Sequence, residues 1–172
     1  GEGTFLGTNG DDVVTITIIN EGDYIVSVND GDETHVFNQS VINVDGQSGN
    51  DTLIVKTPGT QDEVIYTPTS GDSAILEITN LTTLLATIVI AGTEEIDYQG
   101  DDGDTLTING TGVDDHFVVD PTNGGSGGHV SNDAPKFDYD GATQVTTNGG
   151  GDGFDVLTVQ GSEGDDTVTS AG

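Results

Sequence analysis

The chain contains no cysteine, methionine or tryptophan, so neither disulfides nor thiol chemistry can hold its fold or drive a reaction. Basic residues are almost missing. Lys56 and Lys136 stand against 31 acidic residues, giving a formal charge of −29 over 172 residues, so almost no carboxylate finds a cationic side chain. Such a surface repels a phosphate backbone, which excludes nucleic acid as a partner. No apolar run approaches the ~18 residues of a membrane span, and no charged-then-apolar signal segment opens the chain. A start at Gly1 without methionine is expected of a piece processed or cut from something longer. Missing cations also pose an electrostatic problem, which dissolved ions must screen or bound divalent metal must neutralise locally.

What is present is glycine, 27 residues of it, and short runs dense in Val, Ile, Leu and Thr, a pattern that a disordered acidic tail lacks. The runs belong to a repeat. Acidic pairs fall at Asp11-Asp12, Asp62-Glu63, Asp114-Asp115 and Asp165-Asp166, their second members separated by 51, 52 and 51 residues. A second marker, Asp51-Thr52-Leu53, Asp104-Thr105-Leu106 and Asp155-Val156-Leu157, keeps the same phase. The units read as 7–58, 59–109 and 110–160, each opening with Gly-Thr, with a partial unit at 161–172. Residues 1–6 read as the tail of a preceding unit, which implies an array continued covalently or by head-to-tail stacking of copies.

Within the first unit Val14, Ile16 and Ile18 alternate with Val13, Thr15 and Thr17, the two-residue period of a strand. Further strands are expected at 24–28, 35–37, 41–44 and 53–55, about five per unit, with counterparts at 65–67, 74–78, 87–90, 106–108, 117–119, 137–139 and 157–159. The fold class is therefore all-β. Two architectures suit it: a parallel β-solenoid or β-helix with two coils of about 25 residues per unit, its rungs about 4.8 Å apart, or tandem antiparallel β-sandwiches.

The glycine-rich turns carry the chemistry. Gly150-Gly151-Asp152-Gly153-Phe154-Asp155-Val156-Leu157 follows the pattern Gly-Gly-x-Gly-x-Asp-x-apolar, and looser copies begin at Gly7, Gly46 and Gly161. The copy leading into Asp104 through Asp101 and Asp102 has its second glycine one place late. These turns resemble the hemolysin-type (RTX) calcium-binding repeat, and the resemblance implies Ca²⁺ held by the turn aspartates and backbone carbonyls. Ca²⁺ takes six to eight oxygens, and glycine lets the backbone bend carbonyls inward. The candidate metal ligands are Asp11, Asp12, Asp51, Asp101, Asp102, Asp104, Asp114, Asp115, Asp152, Asp155, Asp165 and Asp166. Stacked units would place Asp51, Asp104 and Asp155 in one column, whose mutual repulsion calcium would relieve. The bland alternative is that each Gly-Asp segment is only a turn, and another is salt adaptation, although adaptation alone would scatter carboxylates over strands as well.

Catalytic signals are sparse: His35, His116 and His129 do not recur in phase and no nucleophile motif surrounds them. The reading is a non-enzymatic, extracellular or cell-surface structural module of a filament, surface layer or matrix, stiffened by calcium. An adhesin or carbohydrate-binding module is the alternative, with a polysaccharide lyase or hydrolase behind it. Expected partners are the chain itself and glycans. Of four Asn-x-Ser/Thr sequons, Asn80 and Asn109 are the preferred glycan acceptors.

Overall fold

The computed structural model of the chain describes residues 2–59, 61–122, 127–131, 135–151 and 153–161. These residues form strands and no helix. In chain order they are β1 (Glu2–Leu6), β2 (Val13–Asn20), β3 (Asp23–Val28), β4 (Thr34–Val36), β5 (Val41–Asp45), β6 (Thr52–Lys56) and β7 (Asp62–Ser70). There follow β8 (Ser73–Asn80), β9 (Thr83–Ala91), β10 (Glu95–Asn109), β11 (His116–Thr122), β12 (Gly127–Ser131), β13 (Lys136–Asn148) and β14 (Val156–Val159).

Five strand positions recur three times. In the first set they are β2 to β6; in the second, β7, β8, β9 and the two halves of β10; in the third, β11, β12, the two halves of β13, and β14. Strands one to three of each set run antiparallel. Strand five then lies parallel beside strand one of its own set, pairing Val13 with Thr52, Glu63 with Thr105, and His116 with Val156. On its other edge it takes strand four of the next set, Thr52 with Glu95 and Thr105 with Gln144. Strand β1 lies on β5 in the same manner, Glu2 beside Val41. Consecutive sets are thus interleaved.

This mixed sheet replaces the expected parallel solenoid. The connections of β2 to β3, β7 to β8 and β8 to β9 are the two-residue turns Glu21-Gly22, Gly71-Asp72 and Leu81-Thr82. A turn that short joins only antiparallel neighbours, since a parallel crossover needs a dozen or more residues. Gly22 (φ 73°) and Leu81 (φ 54°) supply the left-handed conformation. Outside the register shift of β10 against β13, parallel partners accordingly lie 39 to 46 residues apart, from Val13 and Thr52 to Val41 and Thr87, and the coil of about 25 residues does not form. Tandem antiparallel sandwiches are not formed either, because every pairing between sets is parallel.

Strands β10 and β13 change register near Gly103 (φ 112°) and Gly141 (φ 87°) and run through both halves of the sheet. The halves fold toward each other in a barrel-like way around one core. Alternation decides which side chains enter it: Val14, Ile16 and Ile18 are buried while Val13, Thr15 and Thr17 are not. Contacts between the halves are specific. The Tyr24 hydroxyl donates to the carbonyl oxygens of Gln39 (2.5 Å) and Leu85 (3.0 Å). Tyr66 packs on Phe137 with ring centroids 4.8 Å apart and donates to the Pro135 carbonyl (2.9 Å). Burial pushes the Tyr66 and Tyr98 hydroxyls well above the ordinary phenol range, so both stay protonated donors.

Candidate functional site: the aspartate corners

Each strand five is preceded by an aspartate, and that carboxylate clamps the start of strand one in the same set. Asp51 Oδ1 accepts the Asp12 N–H at 2.8 Å, Asp104 Oδ1 accepts the Asp62 N–H at 2.8 Å, and Asp155 Oδ1 accepts the Asp115 N–H at 3.1 Å. Partners lie 39, 42 and 40 residues apart. One bond geometry therefore recurs three times. A second cross-link accompanies it in sets one and three, where Asp11 Oδ1 accepts the Asn50 N–H (2.9 Å) and Asp114 Oδ1 accepts the Phe154 N–H (2.8 Å). In set two Gln61 stands in that first acidic place.

The receiving aspartates are held as well. Asp12 accepts from the Thr8 N–H (2.5 Å), the Thr8 hydroxyl (2.9 Å) and the Asn29 amide (2.5 Å). Asp115 accepts from the Thr111 N–H (2.8 Å) and hydroxyl (3.1 Å). The Gly-Thr that opens the first and third units is explained by these bonds, because threonine closes the turn onto the carboxylate five positions after the glycine. Asp62 receives the Asn80 amide at 2.7 Å, the role that Asn29 plays for Asp12. Asn80 Nδ2, the atom a glycan would use, is thus already a structural donor, and Asn109 Nδ2 donates to Thr67 Oγ1 (3.0 Å).

Glycine is required at these corners because carboxylates occupy the space of a side chain. A Cβ on Gly7 would lie 2.9 Å from Asp12 Oδ2, on Gly46 2.6 Å from Asp51 Oδ2, and on Gly110 2.5 Å from Asp115 Oδ2. At Gly100 and Gly149 the Asp104 and Asp155 carboxylates come closer still. In the stretch most like the calcium repeat, Gly153 abuts the Val113 backbone and Gly150 the Gly110 carbonyl, both 2.8 Å from where a Cβ would stand. Those glycines let one corner stack on another.

Asp12, Asp51, Asp62, Asp104 and Asp115 are buried, whereas Asp11, Asp101, Asp102, Asp114 and Asp155 are exposed. Asp152, Asp165 and Asp166 lie outside the described residues, as does the partial unit from residue 162 on. The expected column of Asp51, Asp104 and Asp155 is not formed. Strand five meets strand four of the next set rather than its strand five, so Asp51 stands between Asp12 and Glu94, whose carboxylate accepts the Asp51 N–H at 2.7 Å. Sequence reasoning missed Glu94 and Tyr98, which do not repeat in phase, and Asn29, which does: its counterpart Asn80 lies one period on and was read only as a glycan acceptor.

Among the described residues no three acidic or imidazole side chains are arranged to hold a metal ion. The clamping carboxylates face backbone N–H donors, whereas a calcium shell needs further oxygens converging on the same point. Asp51 Oδ2 and Asp62 Oδ2 have no hydrogen-bond partner.

Burial raises the Asp51 carboxyl above its ordinary range, helped by the charges of Glu94, Asp12 and Asp11; burial raises Asp104 too, and the Asp62 charge adds to it. The Thr8 N–H and the Asn29 amide hold Asp12 below that range, and the Ser73 and Ser70 hydroxyls do so for Asp72. A carboxyl raised on folding binds its proton more tightly in the native state, so its contribution to stability grows as pH falls through the native value. A lowered carboxyl contributes above the unfolded value and loses that contribution as pH falls through its native one. Thermal melts in chelator should therefore show a higher midpoint a little above the ordinary carboxylate range than at neutral pH, then a fall below that range. A midpoint that falls steadily from neutral pH downward would refute this.

The remaining candidates sit apart. His35 stacks on Phe37 at 6.2 Å, and His116 meets Thr158 Oγ1 at 3.2 Å on the surface. Tyr24, Tyr66, Tyr98 and Tyr139 are all buried. No helix among the described residues is long and apolar enough to cross a membrane. No known family matches the chain, and no curated protein or solved structure shows significant similarity to it.

Proposed function

We propose that the chain is a non-enzymatic structural module of an extracellular or cell-surface assembly, a filament, layer or matrix, lengthened by interleaving copies of its five-strand set. The observation that carries this reading is the aspartate-to-backbone clamp. It recurs at three equivalent corners and spends those carboxylates on joining strand one to strand five, a structural use. Interior tyrosines favour the structural role over a sugar-binding module, whose signature would be aromatics aligned on an exposed face.

Calcium enters this reading at the exposed carboxylates Asp11, Asp101, Asp102 and Asp114, where divalent ions would relieve the formal charge of −29. Glycans at Asn80 and Asn109, whose Nδ2 would keep one N–H for its present bond, and self-association complete it. Two measurements test it. Electron micrographs of purified material should show rods or ordered layers, and dispersed round particles would count against a scaffold. Melting midpoints should rise with calcium relative to chelator, since an ion bound only by the native state adds stability; equal midpoints would remove the metal from the proposal.

A further inference from the structure

Strand β14 is built like the other fifth strands but is covered differently. Strand β6 lies between β2 and β10, and the second half of β10 lies between β7 and β13; β14 pairs with β11 alone among the described residues. Register fixes the equivalence, with Leu157 opposite Phe117 as Leu53 is opposite Val14 and Leu106 opposite Val64. Leu53 and Leu106 are 0% and 1% exposed, yet Leu157 is 49% exposed; Val55 and Ile108 are fully buried, yet Val159 is 38% exposed.

The corner beside β14 is apolar too. Val113 and Phe154 are 66% and 78% exposed. The first set has Gly10 and Asn50 in these places, and Phe154 repeats the Asn50 bond to the acidic pair. Between strand and corner opens a cleft of about 360 Å³ lined by Asp114, Asp115, His116, Phe154 and Val156. Two core positions, a backbone edge unpaired among the described residues and an apolar corner thus adjoin one another, a combination that marks a contact surface.

We infer that this end of the sheet docks the fourth strand of another repeat of the same kind, added parallel to β14 by backbone pairing. The inference rests on the structural reading above. The occupant is identified by two examples inside the molecule: residues 95–99 on β6 and residues 144–148 on the second half of β10 occupy the equivalent edge with one direction and one register. In both cases the added strand completes the cover of the fifth strand's inward residues. Both surfaces are acidic, so screening by salt should tighten the association, whereas a basic partner would be released by salt.

The experiment titrates a fluorescent peptide of residues 93–109 into the 172-residue chain at rising salt, with hydrogen exchange followed over Val156–Val159. Saturable binding that tightens with salt and slows exchange in β14 is the expected result. Leu157→Asp together with Val159→Asp should weaken it by roughly tenfold or more. Those side chains are already half exposed, so the variant should keep the melting curve of the parent. Three results would overturn the proposal: no binding at any salt, binding indifferent to the double substitution, or slow exchange of β14 in the free chain, which would mean that its own residues 162–172 cover the strand. None of these bears on the micrographs or the calcium melts, so the structural reading stands or falls separately.

Discussion

Replacing Gly46 with alanine should cost about 3 kcal/mol or more, one of the largest effects expected of any single methyl group in this chain. The added Cβ would meet the Gly92 carbonyl and stand 2.6 Å from Asp51 Oδ2 and 2.7 Å from Asp51 Cβ. The first is backbone of the neighbouring strand connection and the others belong to the clamp, so neither yields by a rotamer change. Two bonds of the same region would be disturbed together: Asp51 to the Asp12 N–H, and the Gly46 N–H to the Ala91 carbonyl at 3.0 Å. The control is Gly71→Ala, at a hairpin tip where an added Cβ meets nothing within 4 Å and φ lies outside the left-handed region. Its midpoint in denaturant should match the parent. If both alanine variants unfold at the parental midpoint, the corners are not close-packed and the account of their glycines fails.

Asp104→Ala should be comparably damaging. Asp104 is fully buried; its Oδ1 accepts the Asp62 N–H, and its Oδ2 accepts the Tyr98 hydroxyl at 2.7 Å and the Asp101 N–H at 3.1 Å. Truncation leaves the Asp62 and Asp101 donors without an acceptor, whereas the Tyr98 hydroxyl keeps its contact with Thr57 Oγ1 at 3.1 Å. At about 1–3 kcal/mol for the buried Asp62 donor, and less for the Asp101 donor at the exposed edge of the corner, the loss should reach about 2–3 kcal/mol. Asp51→Asn makes the instructive contrast. It keeps the oxygen that accepts the Asp12 N–H and removes a buried charge whose second oxygen has no partner. At neutral pH it should be as stable as the parent or more so, and the rise in midpoint on mild acidification should shrink. An Asp51→Asn variant as damaged as Asp104→Ala would mean that the charge itself, and not the accepted hydrogen bond, holds the corner.

The all-β class and most of the strands are legible in the sequence; the architecture is not. The alternation of Val14, Ile16 and Ile18 marked β2 because a strand with one buried face imposes a two-residue period, and the same signal marked β3, β8 and β9. The first half of β10 escaped because Glu95, Asp97 and Gln99 fill its outward positions and left only Ile96 and Tyr98 as a clue. Strand direction escaped for another reason. Glu21-Gly22 and Gly71-Asp72 are hairpin turns whose shortness alone demands antiparallel neighbours, and weighing them would have ruled out a simple parallel coil. As for the corners, recurrence at 51-residue intervals marked Asp12, Asp51, Asp104, Asp115 and Asp155 but matched Glu63, rather than Asp62, to Asp12 and Asp115, and it did not reveal their use. Whether a carboxylate meets a cation or an N–H depends on backbone 39 to 42 residues away, which local spacing does not encode.

Interleaving has a consequence for what a repeat is in this molecule. Strand β6 sits between β2 of its own set and β10 of the following one, and β5 between β1 and β9, so borders drawn along the sequence cut across the woven sheet rather than between blocks. The unit is a stitch and not a bead. Growth by duplication of whole stitches preserves every crossing, while gain or loss of part of one shifts all the crossings beyond it, so the fold itself favours changes in copy number over changes in unit length.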